Sequence, residues 1–184
     1  MYMKLKKINA GFSLLTIVLF FIHTSYQAFS FLTHNHNVTL TMAFGYPLFA
    51  SVSVHAILGC IMVFGKHDSK IISYPALNIQ TMLQRISMVL ISVFLIPHIL
   101  SFLLLPKAAG GFFYYLLEII KIIFYAAVFT HIAVSFGKAL ITLGLLSEPK
   151  TKKAVDIVMT IICTACFIAL SIIITVTHAG MYGG

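Results

Sequence analysis

Carboxylates are nearly absent from this chain: Asp68, Glu118, Glu148 and Asp156 are the only four among 184 residues. With so few, and no paired carboxylates in a cleft, general acid/base chemistry on a polar substrate is not expected. Also missing are a glycine-rich phosphate loop, a Ser/His/Asp or Cys/His set on a strand scaffold, an internal repeat and any low-complexity stretch. Charged residues make up 9% of the chain. The joints around Asn35 to Asn37, Lys66 to Ala76 and Ser147 to Lys153 are too short to be domains of their own.

Cysteines are few as well. Cys60, Cys163 and Cys166 fall inside apolar runs, and the C-x-x-C of the last two is followed by no histidine for c-type haem attachment and surrounded by no βαβ pattern. They read as small buried apolar residues.

What the chain has is hydrophobicity: 60% of residues are apolar and the mean hydropathy is +1.05. A hydrocarbon layer about 30 Å thick needs roughly 20 residues of apolar helix to cross it. Five such runs occur, over about 8–32, 41–65, 81–105, 112–146 and 155–178. The expected fold is therefore all-α, an integral membrane five-helix transmembrane bundle forming one domain over 1–184. The first run is too long for a signal peptide's apolar region, has no small-residue cleavage site and carries Thr24, Ser25, Tyr26 and Gln27, so it reads as a permanent helix.

Basic residues set the expected orientation. Lys4, Lys6 and Lys7, then Lys66, Lys70 and Arg85, then Lys150, Lys152 and Lys153 occupy the N-terminus and the second and fourth joints, whereas the first joint has no Lys or Arg and the third only Lys107. By the positive-inside rule the N-terminus is cytoplasmic and the C-terminus outside, in a cell (inner) membrane. The net charge of +8 is accounted for by this signal and by contact with lipid headgroups, with no implication of nucleic acid.

The histidines are distributed unusually. His34, His36 and His67 lie in joints, but His23, His55, His98, His131 and His178 lie one on each span. An ionisable side chain at membrane depth is costly unless paired or liganded, which makes each a candidate functional residue. Counting residues at 1.5 Å each along the helices puts His23 and His98 at a common outer level. His55 and His131 share an inner level if Lys138 snorkels to the cytoplasmic interface, and do so less well if the fourth helix stays buried to Leu146. Two pairs at two depths suit axial ligation of two haem irons by imidazole. Ser51 and Gly59 flank His55 by one turn, and Ala127 and Ser135 flank His131. Small residues there either admit a flat porphyrin close to the backbone or simply let helices pack. Pro97, before His98, removes an amide donor from the third helix.

The stretch Met82 to Phe102, MLQRISMVLISVFLIPHILSF, resembles the membrane-anchor cytochrome b subunit of succinate dehydrogenase and fumarate reductase. In that family an [HQ]-R-[IV]-[ST]-G segment opens a helix and a haem-ligating histidine follows. Gln84, Arg85, Ile86 and Ser87 match, His98 stands where the ligand is expected, and Met88 replaces the family's glycine. The segment from His131 through Lys138 to Gly144 and Leu145 also looks like that family's later helix.

The resemblance implies two b haems, a proximal one on His55 and His131 and a distal one on His23 and His98. Arg85 would meet a propionate or a quinone headgroup, or else simply anchor the cytoplasmic end. It further implies an FAD-containing flavoprotein subunit and an iron–sulfur subunit on the cytoplasmic side, exchanging electrons with a membrane quinone, menaquinone or ubiquinone. Outer-side quinone candidates are His34, His36, Glu118, Lys121 and His178, although Glu118 and Lys121 at i,i+3 also read as a local ion pair and His178 as a wet interfacial residue. Two rivals stand beside this. One is a b-type subunit of a hydrogenase, formate dehydrogenase or nitrate reductase. The other is a channel or transporter using the histidines for soft metals or protons, which expects a more polar lining than Leu, Ile and Phe.

Overall fold

The computed structural model describes residues 2–35, 37–64, 75–104 and 111–182. Those residues form five helices: α1 Tyr2–Thr33, α2 Val38–Phe64, α3 Pro75–Leu104, α4 Phe112–Leu143 and α5 Pro149–Tyr182. All five are long and apolar enough to cross a membrane, so the protein is an all-α, multi-pass membrane protein. His36, Lys66, His67, Asp68, Lys70 and Lys107 lie outside the described residues, as do the expected helix ends Gly65 and Leu105.

Most of the helices outrun their apolar stretches. Hydropathy marks where a helix meets water, whereas backbone hydrogen bonding stops only at a cap. α1 begins six residues before Ile8 and carries Lys4, Lys6 and Lys7 exposed on its first turns. α2 begins at Val38 rather than Thr41 because Asn37 caps it: the Leu40 amide donates to Asn37 Oδ1 at 3.1 Å, and the Thr41 amide to the Asn37 carbonyl at 3.0 Å. Both α3 and α5 open on a proline, whose fixed φ and missing N–H suit a first helical position.

α4 stops three residues short of the expected Leu146. Gly144 takes φ +79°, its amide donates to the Ile141 carbonyl (3.0 Å) and that of Leu145 to the Leu140 carbonyl (2.9 Å), the paired bonds of a Schellman cap. α1 ends on a left-handed residue too, His34 at φ 52°. The polar groups around this joint hold each other: Ser30 Oγ donates to the Asn35 carbonyl and the Tyr26 hydroxyl to the Asn37 carbonyl. Pro47 and Pro97 interrupt the hydrogen-bond ladder of α2 and α3 without ending either helix.

Large apolar side chains cover the outside, while the buried positions mix apolar residues such as Phe20, Leu117, Phe124, Ile132 and Ile174 with small and polar ones. On α3 the residues Ile79, Met82, Ile86, Val89, Val93, Ile96 and Leu100 are all exposed, one continuous apolar stripe at helical spacing. Buried positions include Ser13, Gln27, Ser30, Ser51, Ser87, Ser101, Glu118, Lys121, Ser135 and His178. Lipid is as apolar as leucine, so helices in it gain more by turning small and polar groups toward one another.

The chain groups into two compact units: Met1–Pro75 with Ser135–Ile157, and Ala76–Val134 with Val158–Gly184. In the first, α1 packs along α2. Thr16 and Ser51 share a 2.7 Å hydroxyl–hydroxyl bond, and Tyr26 lies against Phe44 with ring centroids 5.3 Å apart. The end of α4 meets the start of α5 at Gly137, where a methyl group would collide with the Asp156 carboxylate. In the second unit, Phe129 of α4 packs edge-on against Phe167 of α5, and Leu104 of α3 covers the buried Tyr114 and Leu117.

Candidate functional site

Each unit is considered on its own, beginning with α1 and α2. His23 is half-buried, and its Nδ1 is enclosed with no hydrogen-bond partner. Its ring lies over Gly45 of α2: a Cβ placed on that glycine would sit 3.7 Å from His23 Cε1. Gly45 is a residue the sequence reading missed. That separation is ordinary van der Waals contact, so a methyl group at this position would also fit beside the ring.

His55, also half-buried, bonds to the backbone of Asn9 on α1. Its two small neighbours behave differently. Ser51 is buried and bonded to Thr16, so it serves the packing of α1 on α2. Gly59 faces open space, with no heavy atom within 4 Å of an added Cβ, so helix packing does not explain this glycine.

In the other unit, His98 stacks on Phe124 with ring centroids 4.3 Å apart and an interplanar angle of 16°, and meets Tyr125 edge-on at 5.3 Å. Ser101 Oγ donates to the His98 carbonyl at 2.6 Å. α3 and α4 thus hold this ring by aromatic packing.

His131 is held by a hydrogen bond to α3. Its Nδ1 lies 3.1 Å from Ser87 Oγ, and Ser87 Oγ lies 3.0 Å from the Gln84 carbonyl. The Ser87 hydroxyl has one proton to give, to the carbonyl or to the ring; when it goes to Gln84, Ser87 accepts from His131 Nδ1–H. Metal-ligating histidines are set this way, with the second nitrogen donating to a fixed acceptor that fixes tautomer and ring orientation. Gln84 and Ser87 belong to the QRIS segment, whose relation to His131 could not be seen in one dimension.

Of the remaining candidates, Ala127 and Ser135 are buried, Arg85 and His34 are exposed, and Cys163 is buried while Cys60 is exposed. Because α3 starts at Pro75, Arg85 stands in its third turn rather than at its opening.

The most polar cluster among the described residues joins α4 to α5. Glu118 Oε1, Lys121 Nζ and His178 Nδ1 form a triangle with sides of 2.5, 2.8 and 2.8 Å. Lys121 is 1% exposed, His178 2% and Glu118 6%. The ion pair expected from i,i+3 spacing is present, but His178 is no wet interfacial residue: it completes the cluster from the far end of the sequence. Among the described residues no three His, Cys, Asp or Glu side chains gather as a multidentate metal site, a requirement that two-histidine ligation of haem does not have.

No protein-family profile, curated protein or solved structure matches the chain, so the likeness of Met82 to Phe102 to the anchor family rests on those residues alone.

Proposed function

We propose that the chain is a membrane b-type cytochrome subunit that carries electrons between a membrane quinone and a cytoplasmic flavoprotein and iron–sulfur pair. His23, His55, His98 and His131 would hold two b haems through their ring nitrogens. The observation that carries this reading is the Gln84–Ser87–His131 chain, which ties Nδ1 of an imidazole on a membrane-spanning helix to a fixed hydroxyl, the kind of contact that orients a metal-ligating histidine. A buried, unpartnered Nδ1 on His23 and the aromatic packing of His98 are further features that an imidazole ligand needs: an available nitrogen and a fixed ring.

When bound, the group these histidines would hold would supply a one-electron redox centre. The rest is the chain's own work. Ser87 orients His131, Phe124 and Tyr125 orient His98, and Gly45 of α2 lies beside His23. Apolar neighbours keep water away, and the open space over Gly59 admits a flat group near the backbone. The exposed Lys4, Lys6 and Lys7 of α1 and Lys150 and Lys153 of α5 favour an N-terminus on the cytoplasmic side, where the soluble subunits would dock.

The test is a reduced-minus-oxidised visible spectrum of the purified protein with a pyridine haemochrome assay. The expected result is about two b haems per chain, with His55→Ala and His98→Ala each removing one. A colourless protein would overturn the reading and put a histidine-based metal or proton transporter in its place. Haem without a co-purifying flavin subunit would keep the cytochrome and remove the partner assignment.

A further inference from the structure

The first turns of α1 carry charge that the protein does not balance. Lys4, Lys6 and Lys7 are exposed, and none of them enters an ion pair among the described residues; Glu118 engages Lys121 and His178, and Asp156 engages Lys152. Helical geometry separates the three. Lys4, Ile8, Gly11 and Leu15 are spaced four, three and four residues apart, which puts them on one face of α1, and Lys7 lies one turn before Gly11 on the same side. Lys6, two residues from Lys4, stands on the opposite side, which further along turns inward at Ala10, Ser13 and Ile17.

The shared face is hollow. Ile8, Gly11, Phe12 and Leu15 line a surface depression of about 340 Å³. A Cβ added to Gly11 would meet no heavy atom within 4 Å, so contact between helices does not explain this glycine. Every lining residue is apolar, and the apolar face continues through the exposed Val18 and Ile22, about 16 Å along the axis from Gly11. Lys7 and Lys4 stand about 6 and 10 Å from Gly11 in the other direction. Two unbalanced cations at the mouth of an apolar trough match a molecule with an anionic head and a hydrocarbon tail. A second copy of this chain fits the face badly. Two copies in one membrane run parallel, so pairing them here would set Lys4 and Lys7 against their own counterparts with no acid between.

We propose that this face of α1 binds an anionic glycerophospholipid of the surrounding membrane. The head-group phosphate sits between Lys4 and Lys7, and one acyl chain lies in the hollow at Gly11 and follows Leu15, Val18 and Ile22. Lysine suits the head group because its apolar stem lies along the helix while the ammonium stays at the interface, where anionic lipid attracts it. Gly11 suits the tail, since a larger residue would fill the trough. The site is independent of the haem reading and holds whether or not the histidines carry iron.

The test titrates the purified full chain, stripped of lipid in a neutral detergent, with dioleoylphosphatidylglycerol or with dioleoylphosphatidylcholine, whose choline cation offsets the phosphate. Bound lipid is counted by native mass spectrometry. The wild type is expected to bind the glycerol lipid at least about tenfold more tightly than the choline lipid, and equal affinity overturns the proposal. Lys4→Gln and Lys7→Gln should each weaken binding of the glycerol lipid about fivefold, whereas Lys6→Gln, with the same loss of charge, should leave it within about twofold. Equal losses from all three would mean diffuse attraction of lipid to a basic terminus and would overturn the site. Gly11→Leu should fill the hollow and weaken binding about fivefold while the lipid-free melting temperature stays the same or rises, because leucine is the better helix former. An unaltered affinity in that variant overturns the seating of the acyl chain.

Discussion

The two compact units treat their histidines in opposite ways. In the α1–α2 unit the rings are placed by backbone and by small residues: His23 over Gly45, and His55 against the Asn9 main chain one turn from the open face at Gly59. In the unit of α3 and the longer parts of α4 and α5 they are placed by side chains. Ser87 holds His131, Phe124 holds His98, and Lys121 with Glu118 holds His178. Space sets a ring's position but not its tautomer, whereas a directed hydrogen bond sets both. The side-chain unit should therefore lose function by loss of a bond, and the small-residue unit by loss of room.

The largest expected effect breaks the polar side of that contrast. Lys121→Met leaves the Glu118 carboxylate and His178 buried without their cation and should cost about 3–5 kcal/mol in a detergent unfolding titration. Glu118→Gln combined with Lys121→Met should recover most of it, since the uncompensated charge is then gone. If the single and double variants are equally unstable, packing rather than charge holds α4 to α5.

Next comes Ser87→Ala, which strips His131 of its bond to α3. If the proposed cytochrome function holds, haem retention on dilution should fall by about 10–100-fold, the usual effect of removing a ligand's hydrogen-bond partner, while the fold survives. Ser87→Thr should restore it. An unchanged retention would mean that His131 is not oriented by this bond.

Smaller effects sharpen the spatial side. Gly137→Ala drives a methyl group into the Asp156 carboxylate and disturbs its bond to Lys152, which is 2.5 Å in the native chain. A loss of about 1 kcal/mol is expected, read by the same titration, because the carboxylate can swing partly away. Gly59→Ala meets nothing within 4 Å and should instead stabilise α2 by about 0.5–1 kcal/mol through helix propensity. If that variant keeps its stability gain but loses haem, the open face over Gly59 is where the flat group lies.

Much of the architecture was legible because a membrane imposes a single length scale. Five apolar runs of roughly 20 residues had to be five helices, and one histidine on each was visible by counting. Helix ends were not, because Asn37 as a cap and Gly144 in a Schellman turn act through backbone bonds that leave no trace in hydropathy. The i,i+3 pair Glu118–Lys121 was visible within one helix, but its third member, His178, was 57 residues beyond Lys121 and looked like a surface residue.

The sequence by itself determined the solvent, the number of spans and the residue types able to ligate or to carry protons, because transfer into hydrocarbon depends on composition over each run. Only the tertiary structure decided that Ser87 meets His131, that His23 lies beside Gly45, and that a lysine of α4 is shared between a carboxylate and an imidazole. Those are questions of direction and distance between helices, and hydrogen bonds and steric contacts answer them only when the partners meet in space.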